Sequence, residues 1–382
     1  MSIEFSACAC PTVGVEWELQ LIDPLTLDLI DGILPLMEFF PATNYVKPEY
    51  IQSCVELTSC IAENSTEAVA HIQQTLANVL QRCNALEMAV CGAGTHPLCR
   101  RLALITPKPR YMQLEKRAGH LVHTQITFST HVHVGMRSGD EAIHAMSNLI
   151  PALPALISLS ANSPFWRGHE TGHAAYRHRI LAAAPNYGLP VAFQDWADFD
   201  NFYSISTKAG AIRHFSDIHW DIRPHPDFGT IEIRAMDAAS DMRTLHALVA
   251  FARALVVCMS RSTREEVSRI LPLELPAWIQ KENCYRASHL GLDASFIYDK
   301  CGEQRPMRGQ IETLIDFCEP VAREIGESRG LALVRQVLIE KPGYARQLDA
   351  YARSHSTREV VEDLGARLLG SAEYVPVAEK GL

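Results

Sequence analysis

The stretch Gly14–Leu21, GVEWELQL, sets two carboxylates, Glu16 and Glu18, inside an otherwise apolar run. Val13, Val15, Trp17, Leu19 and Leu21 alternate with Gly14, Glu16, Glu18 and Gln20, the period-two signature of a strand with one buried face. Both acids therefore leave the same side. At about 3.3 Å of rise per residue their Cα atoms lie roughly 6.6 Å apart, near enough to address one cluster of cations. A strand of this kind taken alone is more often simply wetted on its polar face. Its meaning depends on what the other strands carry.

Three further segments repeat the pattern. In IQSCVELT, Ile51–Thr58, Gln52, Cys54 and Glu56 share a face opposite Ile51, Ser53, Val55 and Leu57. In ITFSTHVHVG, Ile126–Gly135, the polar face carries Thr127, Ser129, His131 and His133. HWDIRPHPDFGTIEIRAMD, His219–Asp237, reads as a turn at Pro224–Gly229 and then a strand in which Ile231, Ile233 and Ala235 oppose Thr230, Glu232 and Arg234. If these strands are neighbours, carboxylates converge. Each pair at about 7 Å with an effective dielectric near 20 repels by about 2 kcal/mol. Several such pairs are a large fraction of the roughly 5–15 kcal/mol that stabilises a domain. A cation removes the conflict. Carboxylates with a single imidazole suit Mg²⁺ or Mn²⁺, whereas Zn²⁺ prefers sulfur and several histidines. Of the two histidines on one face, His133 is the favoured ligand and His131 its hydrogen-bonded neighbour. Such ions imply a phosphate, for which Arg177, Arg223 and Arg234 can supply forked donors.

The rest of the chain reads as scaffold. Asn64 with Glu67 marks a helix start, followed by Val69, Ile72, Leu76, Val79, Cys83 and Leu86 at helical spacing. Asp140 is the expected cap of a helix interrupted by Pro151 and Pro154, and Ser163–Pro190 is punctuated as loops. From about Ala239 to Leu369 the pattern is amphipathic helix. No repeat or linker divides the chain, so the expectation is one domain over 1–382, with mixed strands and helices to about 237 and a helical cover from about 239. With 382 residues and 47% hydrophobic content, a large core is available. No apolar run approaches the roughly 20 residues of a membrane helix, and MSIEFSACAC lacks the features of a signal peptide. Eleven cysteines without a CxxC pair suit reduced thiols, so a cytoplasmic protein with no membrane partner is expected. A formal charge of −9 argues against a nucleic-acid partner.

No GxxxxGK[ST] loop is present, and the GAG before Thr95 lacks dinucleotide-fold spacing. His169-Glu170-Thr171-Gly172-His173 matches the HExxH of zinc metallohydrolases, the alternative function. Pro164, Gly168 and Gly172 work against the helix that motif requires. A second alternative is a non-catalytic protein that binds nucleotide or amino acid.

GVEWELQL, SCVELTSC, GAGTHPL, HVHVG, SPFWRG and above all HWDIRPHPDFGTIEIRAMD together resemble the type 2 glutamate-cysteine ligase family, specifically the YbdK-type carboxylate-amine ligases, over nearly the whole chain. The resemblance implies an α+β, glutamine synthetase-like catalytic domain. Its curved antiparallel sheet would carry helices on the convex side and bind ATP and two or three Mg²⁺ ions on the concave face. It also implies metal ligation by Glu16, Glu18, Glu56, His133 and Glu232, phosphate contacts and catalysis by Arg223 and Arg234, and substrate binding by Arg177. The implied reaction phosphorylates a carboxylate, the γ-carboxylate of glutamate, and joins it to an amine such as cysteine. A homodimer and a lid over Gly168–Pro190 complete these expectations.

Overall fold

The alternation that opens the chain forms strand β1, Val13–Ile22, and every other strand of the main sheet is placed by it. The computed structural model describes residues 3–41, 43–183 and 186–376. Around β1 stand β2 (Val46–Pro48), β3 (Cys54–Thr58), β4 (Ala89–Cys91), β5 (Ser129–Gly135), β6 (Ile222–His225) and β7 (Thr230–Asp237). Their order is β6-β7-β5-β1-β3-β2, with β4 pairing the far end of β1, and every pairing is antiparallel. The class is α+β.

Val13, Val15, Trp17, Leu19 and Leu21 are sealed from solvent on the apolar face. Helices α1 (Ser65–Ala85) and α2 (Met242–Arg261) pack together and against the sheet, and the Trp17 indole donates to the carbonyl of Ala239 at 3.2 Å. The start of α1 is capped by Asn64, whose side chain accepts from Glu67 N at 3.0 Å, as its sequence indicates. Two helical stretches, Gly139–Ser160 and Met242–Arg261, are long and apolar enough to cross a membrane, contrary to the reading from composition. Both are almost wholly buried within the fold, which accounts for their hydropathy.

Local boundaries differ where tertiary contacts intervene. Ile51 makes only an isolated bridge to Ile105, and β3 begins at Cys54. Likewise β5 begins at Ser129, with Thr127 bridged to Thr95. The cap of helix Gly139–Leu149 is Ser138, while Asp140 accepts from the amide of Trp196 at 2.9 Å. Pro224 lies inside β6, and the turn falls at Pro226–Gly229 instead. Gly229 has φ +65 and lies so close to the Ser6 carbonyl that a Cβ would come within 1.5 Å of it. The segment read as loops contains a strand pair, Phe165–Trp166 with His169–Glu170, and the helix Tyr176–Leu181. Tyr187–Gly188 then pairs in parallel with His219–Trp220. Residues 184 and 185 of the expected lid lie outside the described residues. Among the described residues the C-terminal third is helical apart from the hairpin Ser295–Ile297 with Gln304–Pro306.

One buried ion pair ties three of these parts together. Arg253 of α2 donates to Glu327 at 2.7 Å and to the carbonyls of Pro11 and Ile325, while Glu327 also accepts from Ser65 N at 2.8 Å. Removing one member of such a pair leaves an uncompensated buried charge. Arg253→Met is expected to lose about 3–5 kcal/mol of stability in urea denaturation, with the m-value unchanged.

Candidate active site

Antiparallel register places the polar side chains. Glu16 lies opposite His131 of β5, Glu18 opposite Glu56 of β3, and Glu232 of β7 opposite both His133 and Arg223. Directly paired residues share a face. Glu16, His131 and Glu232 consequently bring ligand atoms within 4.8 Å of one another. A second group, Glu18, Glu49 and Glu56, does the same. His133 stands beside the first group, its Nε2 3.8 Å from Glu16 and 3.9 Å from Glu232, with Nδ1 bonded to Thr230 at 3.0 Å. Glu49, just beyond β2, belongs to no alternating run and was not found from sequence. Only its spacing from Lys47, which lies opposite Glu56, could have hinted at it.

The two groups differ electrostatically. In the first, burial would raise Glu16 and Glu232, but their partners outweigh it and hold both well below the ordinary carboxylate range. For Glu16 these are His131 and His133; for Glu232 they are Arg223, Arg234 and His133. Burial pulls His131 down to about 4, so its imidazole is neutral and its second ring nitrogen, Nε2, is buried without a hydrogen bond. In the second group burial dominates. Glu18 is pushed up to about 7 by burial and by Glu49, although Ser129 donates to it through both amide and hydroxyl at 2.6 and 2.7 Å. Glu49 and Glu56 are raised for the same reason, Glu56 strongly, and Lys47 at 3.5 Å offsets little of it.

Three arginines border these acids. Arg223 donates to Glu232 at 2.7 Å and lies over the Phe215 ring, its centroid 5.5 Å away. Arg234 binds the other Glu232 oxygen, and Glu232 overcomes burial to hold the Arg234 guanidinium above its ordinary value. Arg177, on the helix Tyr176–Leu181, donates through Nη2 to the Arg234 carbonyl at 3.2 Å. The sequence reading thus named side chains that the fold assembles in one place, and it missed Glu49. It also missed Tyr187, whose ring stacks on His219 at 4.6 Å beside the same charged groups.

The HExxH stretch forms no helix. His169 and Glu170 are exposed on a two-residue strand, Gly172 has φ +73, and His173 packs against His289 and Tyr285. Among the described residues neither histidine joins a metal-ligating group, so nothing supports the zinc hydrolase alternative.

The profile of glutamate-cysteine ligase family 2 matches residues 12–365. The chain belongs to that family. A relative from Trichormus variabilis, provisionally named glutamate-cysteine ligase 2, is 40% identical over 366 residues, covering 96% of this chain and 95% of its own. One of the same provisional name from Mycobacterium tuberculosis is 36% identical over 370 residues, covering 96% and 97%. The fold is shared with the glutamate-cysteine ligase of Francisella tularensis solved with AMP (TM-score 0.65, 13% identity, 98% of this chain and 91% of that one). It is shared too with a bifunctional glutathione synthetase of Pasteurella multocida (TM-score 0.66, 14% identity, 95% and 52%). Glutamate-cysteine ligase family 2 is a family of ligases, and this chain is one.

In this family member the donor set fits divalent cations that prefer oxygen. Five carboxylates and neutral imidazole, with an orphaned buried nitrogen, match Mg²⁺ or Mn²⁺ and lack the thiolates zinc favours. The raised group also fixes a pH dependence. Unfolded carboxylates ionise near 4.5, whereas Glu18 holds its proton to about 7, so without a cation stability falls as pH rises between those values. A cation must displace that proton. Mg²⁺ or Mn²⁺ is therefore expected to raise the melting temperature more at pH 8 than at pH 6, with proton release on titration at the lower pH. Glu56→Gln should shrink that difference.

Proposed function

We propose that this ligase couples ATP hydrolysis to amide formation between a carboxylate, the γ-carboxylate of glutamate, and an amine. The observation that supports this reading is the register-built pair of acidic groups, Glu16-His131-Glu232 and Glu18-Glu49-Glu56, bordered by Arg177, Arg223 and Arg234. The related Francisella ligase holds AMP, and a more distant neighbour, the ligase PafA, was solved in complex with its protein partner Pup (TM-score 0.51, 11% identity, 96% of this chain and 76% of that one). Proteins of this fold thus include one that holds a nucleotide and a ligase that engages a protein.

The carboxylate oxygen attacks the γ-phosphorus of ATP, and the bond to the β-phosphate oxygen breaks, giving ADP and an acyl phosphate. The amine nitrogen then attacks the acyl carbon, phosphate leaves, and the nitrogen gives up a proton. Mg²⁺ held by Glu16, Glu18, Glu49, Glu56, Glu232 and one or both of His131 and His133 would neutralise charge on the phosphates. Phosphoryl transfer asks mostly for alignment and charge compensation. Arg223 and Arg234 are fixed by Glu232 and present cationic forks to the transferred group. Arg177 is the contact for the substrate carboxylate. The burial of most of these side chains keeps water from the acyl phosphate. Eleven free cysteines, several of them buried, are in keeping with a cytoplasmic setting.

The test mixes purified protein with ATP, Mg²⁺, glutamate and a panel of amines including cysteine, following ADP release and product mass. Amine-dependent product is expected. Glu232→Gln should lower turnover at least about a hundredfold, because it removes an acid that orients two arginines, while circular dichroism stays unchanged. No product with any amine, or near-normal turnover in Glu232→Gln, would overturn the reading.

A further inference from the structure

Asp237 is a buried acid at the site that the chemistry above leaves without a task. It ends β7 and is 1% exposed. Strict alternation would turn it onto the apolar face with Ile231 and Ile233. A bulge prevents this. Between Ile233 and Met236 the register slips by one residue, and Asp237 emerges paired with Ser129, whose amide and hydroxyl hold Glu18.

Its two oxygens are treated differently. Oδ2 accepts from Asn162 N at 2.9 Å and from the Ser163 hydroxyl at 2.6 Å. Oδ1, equally buried, has no hydrogen-bond partner and lies 3.9 Å from Nη1 of Arg177. Arg177 is anchored elsewhere: its backbone N–H donates to Ser163 Oγ at 3.0 Å and its Nη2 to the Arg234 carbonyl, while its buried Nε has no partner. The equally buried structural pair of Arg253 and Glu327 closes fully, at 2.7 Å. Arg177 and Asp237, comparably buried, face each other across a gap too long for a hydrogen bond.

We propose that Asp237 is a positioning residue for the substrate carboxylate, acting through Arg177. Its charge compensates the buried guanidinium and sets its direction through the Ser163 relay, without saturating the donors that receive an anion. A closed pair would occupy them. The inference rests on the reading of Arg177 as the carboxylate contact.

Asp237→Asn isolates the charge: the amide oxygen can keep both bonds from Asn162 and Ser163, and the NH₂ replaces only the free oxygen facing Arg177. Calorimetric titration with L-glutamate, in Mg²⁺ and a non-hydrolysable ATP analogue, reads binding without turnover. Asp237→Asn is expected to raise the glutamate Kd roughly tenfold while nucleotide affinity stays within about twofold. In an Arg177→Gln background the same substitution should add nothing. Ser163→Ala, which loosens the relay, should move glutamate affinity the same way and decides the matter if Asp237→Asn does not fold. Unchanged glutamate affinity, an equal loss in the Arg177→Gln background, or a parallel loss of nucleotide affinity would overturn the proposal while leaving Arg177 in its role. Wild-type glutamate binding by Arg177→Gln, or none by the native protein, would instead remove the reading of Arg177 and this inference with it.

Discussion

Like-charge convergence is the constraint around which this protein is organised. Pairing β1 with β3 and β5 in one register sets Glu18 against Glu56 and Glu16 against His131, and pairing β7 with β5 adds Glu232. A shift of one residue in the pairing around Glu16, Glu18, Glu56 or Glu232 would send those acids into the apolar core, so burying Trp17, Leu19 and Leu21 and gathering the carboxylates are one event. The hydrophobic effect supplies the driving force, and the acids are carried along on the other face.

Compensation within the site is uneven. Glu16 and Glu232 have cationic or imidazole partners that keep them ionised despite burial, whereas Glu18, Glu49 and Glu56 have mainly one another. One group resembles a finished ion-pair network, and the other is held together only if protons or cations enter it. The same asymmetry recurs among the arginines. Arg223 and Arg234 are bonded to Glu232, and Arg177 is tethered through its backbone and one nitrogen with a counter-charge at a distance. Groups left unsaturated in a native interior are where ligands find their partners.

The scaffold keeps these distances small. Most of the charged side chains stand on strands of a single sheet, and that sheet is backed by α1 and α2 with their sealed apolar faces. Strands position side chains more tightly than loops do. The exceptions are Glu49, which reaches the site from just beyond β2, Arg177, from the helix Tyr176–Leu181, and the uncharged Tyr187, from a two-residue strand outside the main sheet.

Period-two alternation in Gly14–Leu21, Ile51–Thr58, Ile126–Gly135 and Thr230–Ala235 was enough to assign Glu16, Glu18, Glu56, His131, His133, Glu232 and Arg234 to polar strand faces, because side-chain direction in a strand is a local property of the backbone. The residue types on those faces, oxygen-rich with imidazole, limited the chemistry as well. Local rules could not decide where a non-alternating residue such as Glu49 comes to rest, nor that Pro224 belongs to a strand. Pro164, Gly168 and Gly172 did argue against a helix at His169–His173, and the stretch adopts extended and left-handed backbone. The Ile233–Met236 bulge, which reverses the alternation and brings Asp237 to the site, depends on the neighbouring strand. Long-range pairing alone settles such positions, since the free energy that selects them lies in contacts between segments far apart in the chain.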